Sequence, residues 1–326
     1  MILFAGSANL DFVVRAAHIP APGETVLGHG FTTYPGGKGA NQAVACAKAG
    51  GVTTQLLAAL GNDEFAQPIE ASLRSAGVQL KLVRVDGIAT GTAFICVSDD
   101  AENAITVAPG ANTQLLPSHL PDLTGISHLV MQLEIPLPTV TAYAKAAHQQ
   151  GVTVVLNAAP AQTLPRDLLA VVDILIVNQG ELAALTSDTG SVAQRMRDLP
   201  VPTLVTTLGT QGCCARTGER FHIQAAFKVA AVDTTGAGDT FCGVLVAALS
   251  KGHNLPDALR RASAAAAMAC TVAGAQSSVP SAEVLQGFLE SATPPAPDTH
   301  RALLKMCGLD HAGPKDHGSD LPPRHF

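Results

Sequence analysis

The run Ala230-Ala231-Val232-Asp233-Thr234-Thr235-Gly236-Ala237-Gly238-Asp239-Thr240-Phe241 is an extended apolar approach followed by a glycine-rich turn. It leads into the first turn of a helix that continues through Val244-Leu245-Val246-Ala247-Ala248-Leu249. Gly236 and Gly238 leave the backbone bare, so successive N–H groups can face one space at the positive end of the helix dipole. Such a turn suits an anion, and Asp239 stands inside it. A carboxylate there is unfavourable unless it has work to do. The obvious work is to accept a proton from a hydroxyl that attacks a phosphate. The alternative is a strand-to-helix turn in which Asp239 only caps the helix. Two better-known phosphate loops fit poorly. A Walker A pattern laid on Gly36-Gly37-Lys38-Gly39 meets Thr32 at its first glycine and Gly39 at its hydroxyl. A dinucleotide fingerprint laid on Gly236 and Gly238 meets Phe241 at its third glycine, which leaves a nicotinamide-dependent oxidoreductase as a weak rival.

Further polar groups sit at the ends of apolar runs, where open α/β sheets place their ligands. Asn9 and Asp11 follow the first run and offer an amide and a carboxylate to neighbouring hydroxyls of a polyol, or else an Asx turn. Gly36-Gly37-Lys38-Gly39-Ala40-Asn41 opens a helix with more glycine than a helix start needs, and Asn41 can both donate and accept toward a hydroxylated ligand. Glu134 ends another run, as a ligand contact or a solvated strand end. Asn178-Gln179-Gly180-Glu181 could orient water around Mg²⁺. It also reads as a capping box, and the two readings are compatible. Thr207-Leu208-Gly209-Thr210-Gln211-Gly212 suits a nucleotide or, equally, a hairpin turn.

The elements that must position these groups alternate. Apolar runs at 2–7, 54–60, 127–133, 152–157, 173–178 and 203–208 read as strands, and 38–49, 64–76, 138–150 and 181–186 as helices, several ending in glycine. Strands apolar on both faces, alternating with helices, predict a mostly parallel sheet covered by helices. Segments 11–35 and 90–107 are β-rich and turn-rich and fit a small accessory sheet, a natural lid. From 292 to 326 the composition turns to Pro, His, Asp and Gly. That stretch reads as a flexible C-terminal tail with a short helix near 301–306, and its His300, His311, His317 and His325 as solvated tail residues.

At 326 residues with 47% hydrophobic and 14% charged, the chain can bury a large core. A net charge of −6 without a Lys/Arg run gives no footprint for nucleic acid or an anionic membrane. No apolar stretch is long enough for a membrane span, and the first residues read as a buried strand and not a signal peptide. Seven cysteines without a Cys-x-x-Cys pair fit reduced thiols in a cytoplasm.

Taken together and in order, these motifs resemble the ribokinase branch of the PfkB-type carbohydrate kinases. The resemblance spans about residues 1–291 and also includes Pro22-Gly23-Glu24-Thr25, 131–134 and 274–280. It implies a ribokinase-like three-layer α/β fold with a small β-sheet lid over the sugar, often a dimer interface. It implies ATP-dependent phosphorylation of a sugar's terminal hydroxyl, D-ribose at O5 first, with Asp239 as base and the Gly236, Ala237 and Gly238 N–H groups as anion hole. By the same resemblance, Asn9, Asp11, Gly37, Lys38, Asn41, Glu134 and Asp239 match sugar contacts. Asn178, Thr207, Leu208, Gly209, Thr210, Gln211, Gly212 and Ser263, with Gly238 and Asp239, match the nucleotide side. Glu181 matches an outer-sphere organiser of Mg²⁺, and Asp233, Thr235, Ala269, Val272, Gly274 and Ser278 match a K⁺ site. Gln179-Gly180, Ser263 and Cys242 depart from the commoner residues at their places. Kinases of deoxyribose, fructose or another ketose, or a nucleoside are the nearer alternatives. A non-catalytic sugar-binding module is the more distant one.

Overall fold

The computed structural model describes residues 1–100, 102–186, 189–293 and 296–310. The chain opens with β1 (Ile2–Ala5), β2 (Asn9–Ala16), β3 (Gly30–Gly36), α1 (Lys38–Lys48), β4 (Thr54–Gly61), α2 (Ala66–Ser75), β5 (Gln79–Val85), β6 (Gly91–Ser98) and β7 (Asn103–Ala108). It continues with β8 (His128–Met131), α3 (Leu137–Gln149), β9 (Thr153–Asn157), α4 (Arg166–Leu169), β10 (Ile174–Asn178), α5 (Gln179–Leu185) and α6 (Val192–Arg197). It closes with β11 (Thr203–Thr207), β12 (Gly212–Thr217), β13 (Arg220–Ala225), α7 (Ala237–Ser250), α8 (Leu255–Ala269), α9 (Ala282–Ser291) and α10 (Pro297–Cys307).

Among the described residues there are two sheets. The large one runs β13-β12-β11-β10-β9-β8-β1-β4-β5 and is parallel except for the antiparallel β12 and β13 at one edge. Its strands are apolar on both faces because both faces are covered. Ile2, Phe4, Val130, Val155, Ile176 and Val205 pack with α1, α7 and α8 on one side. Their alternate neighbours Leu3, Ala5, Leu129, Met131, Leu156 and Val177 pack with α3, α6 and α10 on the other. All six expected strands and the expected helices are present, with ends differing by one or two residues, as the fraying of terminal turns dictates.

The second sheet, β3-β2-β6-β7, is built from the two β-rich segments. Alternation gives it two faces. Phe12 stacks on Phe94 and Phe31 on one, while Asp11, Val13, Arg15, Tyr34 and Ile95 line a cleft of about 370 Å³ on the other, opposite Asp233, Thr234, Thr235 and Gly274.

The stretch read as a flexible tail with a short helix near 301–306 does carry that helix, as the longer α10, but the helix is docked: its Leu303 and Cys307, one turn apart, are buried with Leu309 in the core beside Cys214 and Phe221. An i, i+4 apolar pair gives that helix a face to bury. His300 lies exposed on it, and His311, His317 and His325 lie outside the described residues.

Helices α1 and α7 meet at Gly243, where an added Cβ would lie 2.3 Å from the carbonyl oxygen of Gln42 and 2.8 Å from Ala45 Cβ. Gly243→Ala is expected to cost about 1–3 kcal/mol through overpacking, only partly offset by about 1 kcal/mol of helix propensity. Gly287 on α9 has nothing within 4 Å of such a Cβ, so Gly287→Ala should stabilise by about 0.5–1 kcal/mol. Urea midpoints of the two variants should move in opposite directions, and a shared direction would show that the helix contact yields cheaply.

Candidate active site

The C-terminal ends of β1, β8, β9, β10 and β11 and the N-terminal ends of α1 and α7 converge on one edge of the large sheet. The chain enters α1 through Gly37 and α7 through Gly236, at φ +87° and +72°, conformations that side-chain-bearing residues avoid. Gly36 is needed for a different reason: a Cβ there would fall 2.1 Å from Asp11 Oδ2. Gly238 has only open space around it. The first-turn N–H groups of α7 have no intrahelical acceptor, and no side chain caps Gly236. Ala237 N–H closes a turn on Thr234 O at 3.2 Å.

Asp239 is buried, and both its oxygens are held. Asn41 Nδ2 donates to Oδ2 at 3.0 Å, and Gln42 Nε2 donates to Oδ1 at 3.0 Å. Gln42 Nε2 is shared with Asn157 Oδ1 at 3.0 Å, and Gln42 Oε1 accepts from Gln132 Nε2 at 2.6 Å. Asn41 Oδ1 accepts from Gln276 Nε2 at 3.1 Å, and Gln276 Oε1 from Ser72 at 2.7 Å. Asn41 therefore keeps one N–H and one lone pair for a further partner. Sequence reasoning missed Gln42, Gln132 and Asn157. The available signal was a polar residue closing an otherwise apolar strand, as in Leu129-Val130-Met131-Gln132 and Val154-Val155-Leu156-Asn157.

β2 carries Asn9 and, two residues on, Asp11, which lines the cleft. Asn9 Oδ1 accepts from Asn112 Nδ2 at 2.7 Å, and Asn112 Oδ1 takes Ala8 N–H at 3.0 Å, so Asn9 is anchored through a residue the sequence did not flag. Glu134 Oε2 accepts from the Ser7 hydroxyl and from Lys38 N–H at 3.1 Å. Burial, with the charges of Glu134 and Asp239 adding, pushes the Asp11 carboxyl up to about 7. Lys38 answers these acids. The charge of Asp239 raises its ammonium above the ordinary value against the pull of burial, and Glu134 and Glu181 act in the same direction as Asp239.

At the end of β10, Asn178 and Glu181 form a reciprocal cap: Asn178 Oδ1 accepts Glu181 N–H at 2.8 Å, and Glu181 Oε2 accepts Asn178 N–H at 2.7 Å. Burial raises the Glu181 carboxyl, opposed by that N–H and by Lys38. Thr207 ends β11, and 209–211 form a tight turn into β12, so this motif makes a hairpin that leaves Gly209, Thr210 and Gln211 exposed and Leu208 buried. Ser263 sits on α8 with its hydroxyl 3.8 Å from Cys213 Sγ.

Asp233 stitches the approach loop to the segment after α8. Its Oδ1 accepts Thr235 N–H at 2.9 Å and its Oδ2 accepts Gly274 N–H at 2.8 Å, while Val232 and Asp233 N–H both reach Cys270 O. Burial opposes the charge of Asp233, but those donors outweigh it and hold the carboxyl below its usual range. Ser278 donates to Ala275 O at 3.1 Å, and Ala269 O accepts from Val272 N–H at 3.3 Å, in the same stretch. One carboxylate among backbone carbonyls and hydroxyls is an oxygen-only set, the chemistry a hard cation takes.

With this geometry described, comparison with known proteins is direct. The pfkB family carbohydrate kinase profile matches residues 1–282. The chain is 37% identical over 299 residues to the ribokinase of Haemophilus influenzae, covering 88% of this chain and 97% of that one. Among solved structures it resembles the ribokinase of Thermotoga maritima at 35% identity and a TM-score of 0.81. It also resembles Arabidopsis thaliana ribokinase complexed with ribose and ATP at 32% identity and 0.83, each match covering 89% of this chain and 99% of the other. The chain belongs to the pfkB family of carbohydrate kinases.

Proposed function

We propose that this chain transfers the γ-phosphoryl group of ATP to the 5-hydroxyl of D-ribose, with residues 1–291 as the kinase domain. The observation that carries the reading is Asp239, a buried carboxylate aimed from the first turn of α7 beside the open backbone of Gly238. Asp239 takes the hydroxyl proton as the sugar oxygen bonds to phosphorus and the bond from phosphorus to the bridging oxygen breaks, releasing ADP. The N–H groups at the start of α7 receive the charge on the transferring group. Because Ala237 N–H is already engaged with Thr234 O, Gly236 and Gly238 N–H carry most of that contact.

Asn9, Asp11, Gly37, Lys38, Asn41 and Glu134 hold the sugar on this reading. Asn178, the exposed 207–212 hairpin and Ser263 lie on the nucleotide side. Mg²⁺, when bound, supplies charge neutralisation between the phosphates, and Glu181 would hold it through water. K⁺ would lie against Asp233, Thr235 and Ser278 and the main chain of Ala269, Val272 and Gly274, and by its charge fix the loop that precedes α7. Phe31 and Phe94 are 63% and 55% exposed on the face of the small sheet that carries Phe12. That much exposed apolar surface supports a homodimer formed through the lid. Seven free cysteines suit the reducing cytoplasm. Among the described residues no helix is long and apolar enough to cross a membrane.

ADP release measured over ribose, deoxyribose, fructose and nucleosides with Mg-ATP, with and without K⁺, should give the highest kcat/KM for ribose and a K⁺-dependent rate. A nucleoside or ketose preferred over ribose would reassign the substrate, and silence with every acceptor would overturn the kinase reading. Asp239→Asn should lower kcat by about 10² or more while sugar still protects against thermal unfolding.

Asp11 generates a pH prediction. Its folded carboxyl titrates near 7 and its unfolded one near 3.8. The folded protein therefore holds a proton that the unfolded chain has released. The associated stability is present below about pH 4 and is lost as pH rises through 7. Asp11→Asn should accordingly gain stability over the parent most at pH 8 and least at pH 4. Sugar hydroxyls need the ionised carboxylate as acceptor, so kcat/KM for ribose should fall below pH 7 in the parent. In Asp11→Asn it should be lower at pH 8 and without that inflection. An inflection that persists in the variant assigns it to another group.

A further inference from the structure

Beneath Asp239 lies a row of buried amides that the transfer reaction does not itself require: Gln42 on α1, Gln132 just past β8 and Asn157 at the end of β9, all shielded from solvent. We infer that Gln42 is a positioning residue that sets the orientation of the Asp239 carboxylate, and that Gln132 locks the Gln42 amide in the one direction that allows this. The inference rests on Asp239 being the base, as proposed above.

The direction of every amide in the row is forced from one end. Asn157 Nδ2 donates to the main-chain carbonyl of Ile176 at 3.1 Å, an acceptor that cannot reverse. Asn157 therefore turns its oxygen toward Gln42, and only the Gln42 NH₂ group can meet it. That same NH₂ faces Asp239 Oδ1, so a reversed Gln42 would set its carbonyl oxygen against a carboxylate and an amide oxygen at 3.0 Å. Gln132 donates to the other end of Gln42. This leaves Gln132 Oε1 buried with no partner among the described residues, an uncompensated acceptor. An unpaired buried oxygen is costly. Its presence at the far end of the row shows the polarity being imposed from the Ile176 carbonyl and from Asp239, with the deficit left where no reacting group lies. An amide donor to one carboxylate oxygen opposes rotation about the Cβ–Cγ bond and so fixes which lone pair faces the cleft. Asn41 holds the second oxygen but is itself assigned to the sugar. Gln42 is the donor with no competing duty in the cleft.

The test is a double-mutant cycle on the full chain, with Gln42→Met, Gln132→Leu, the pair together, and Asp239→Asn as reference. It is read in kcat and in KM for the sugar, at saturating Mg-ATP. Gln42→Met should lower kcat tenfold or more and leave KM for the sugar within about threefold. Gln132→Leu should show the same changes at smaller size, and the double variant should be no worse than Gln42→Met alone. A kcat unchanged in Gln42→Met, or a KM that rises in step with the fall in kcat, overturns the inference, as do strictly multiplicative losses in the cycle. Should Gln42→Met fail to fold, an unchanged kcat in Gln132→Leu overturns it by itself. An active Asp239→Asn strikes instead at the assignment of the base, so the two failures are told apart.

Discussion

The site depends on how closely two helices can approach. Asp239 belongs to α7, and both amides that hold its oxygens belong to the first turns of α1. Their distance is set where Gly243 lies against the Gln42 carbonyl and Ala45, a contact that admits no side chain. Because the helices begin at the same edge of the sheet, this single approach brings both N-termini and the carboxylate into one volume. The small residues in these helices, Ala40, Ala43, Ala45 and Gly243, therefore do more than fill the core. They place a buried charge within reach of the two amides that donate to it.

The same closeness concentrates charge. Asp11, Glu134, Asp239 and Glu181 all act on one cleft, and Lys38 is the cation raised by three of them. Burial and like charges push the Asp11 carboxyl up to about 7, while Asp239 accepts from two amides. Two carboxyls in one cleft thus stand in different surroundings, one crowded by acids and the other held by donors. The N-terminus of α7 adds a positive pole that draws in an anion without adding a side-chain charge.

Much of this was legible in the sequence, for physical reasons. A strand covered on both faces must be apolar throughout, so the six parallel strands stand out. Glycines where backbones touch or turn left-handed mark the entries to α1 and α7. Edge strand β5 was not legible, because Lys81 and Arg84 break its apolar pattern at a half-solvated border. Helix α10 was legible only as a short helix near 301–306 among prolines and histidines, and its docking was not, since it rests on Leu303, Leu304, Cys307 and Leu309. Buried polar groups were the least visible. Gln132 and Asn157 look like ordinary strand ends until the fold sets them side by side. Arg216 looks like a surface cation until its guanidinium is seen bonding to the carbonyls of Met196, Leu199, Val201 and Gly218.

The small sheet has a consequence for recognition. Asn9 and Asp11 lie two residues apart on β2, yet they are held differently. Asn9 is tied through Asn112 to the Ala8 backbone at the root of the sheet. Asp11 pairs in register with Tyr34 on β3 and Ala93 on β6, one step along the sheet from Asn9, which itself pairs with Gly36 and Gly91. Further along the same face, Arg15 is exposed, and its charge is felt by Asp233 across the cleft. Asn9, Asp11 and Arg15 thus stand on one face of β2 at growing distances from that root, the acid nearer to it and the cation opposite Asp233.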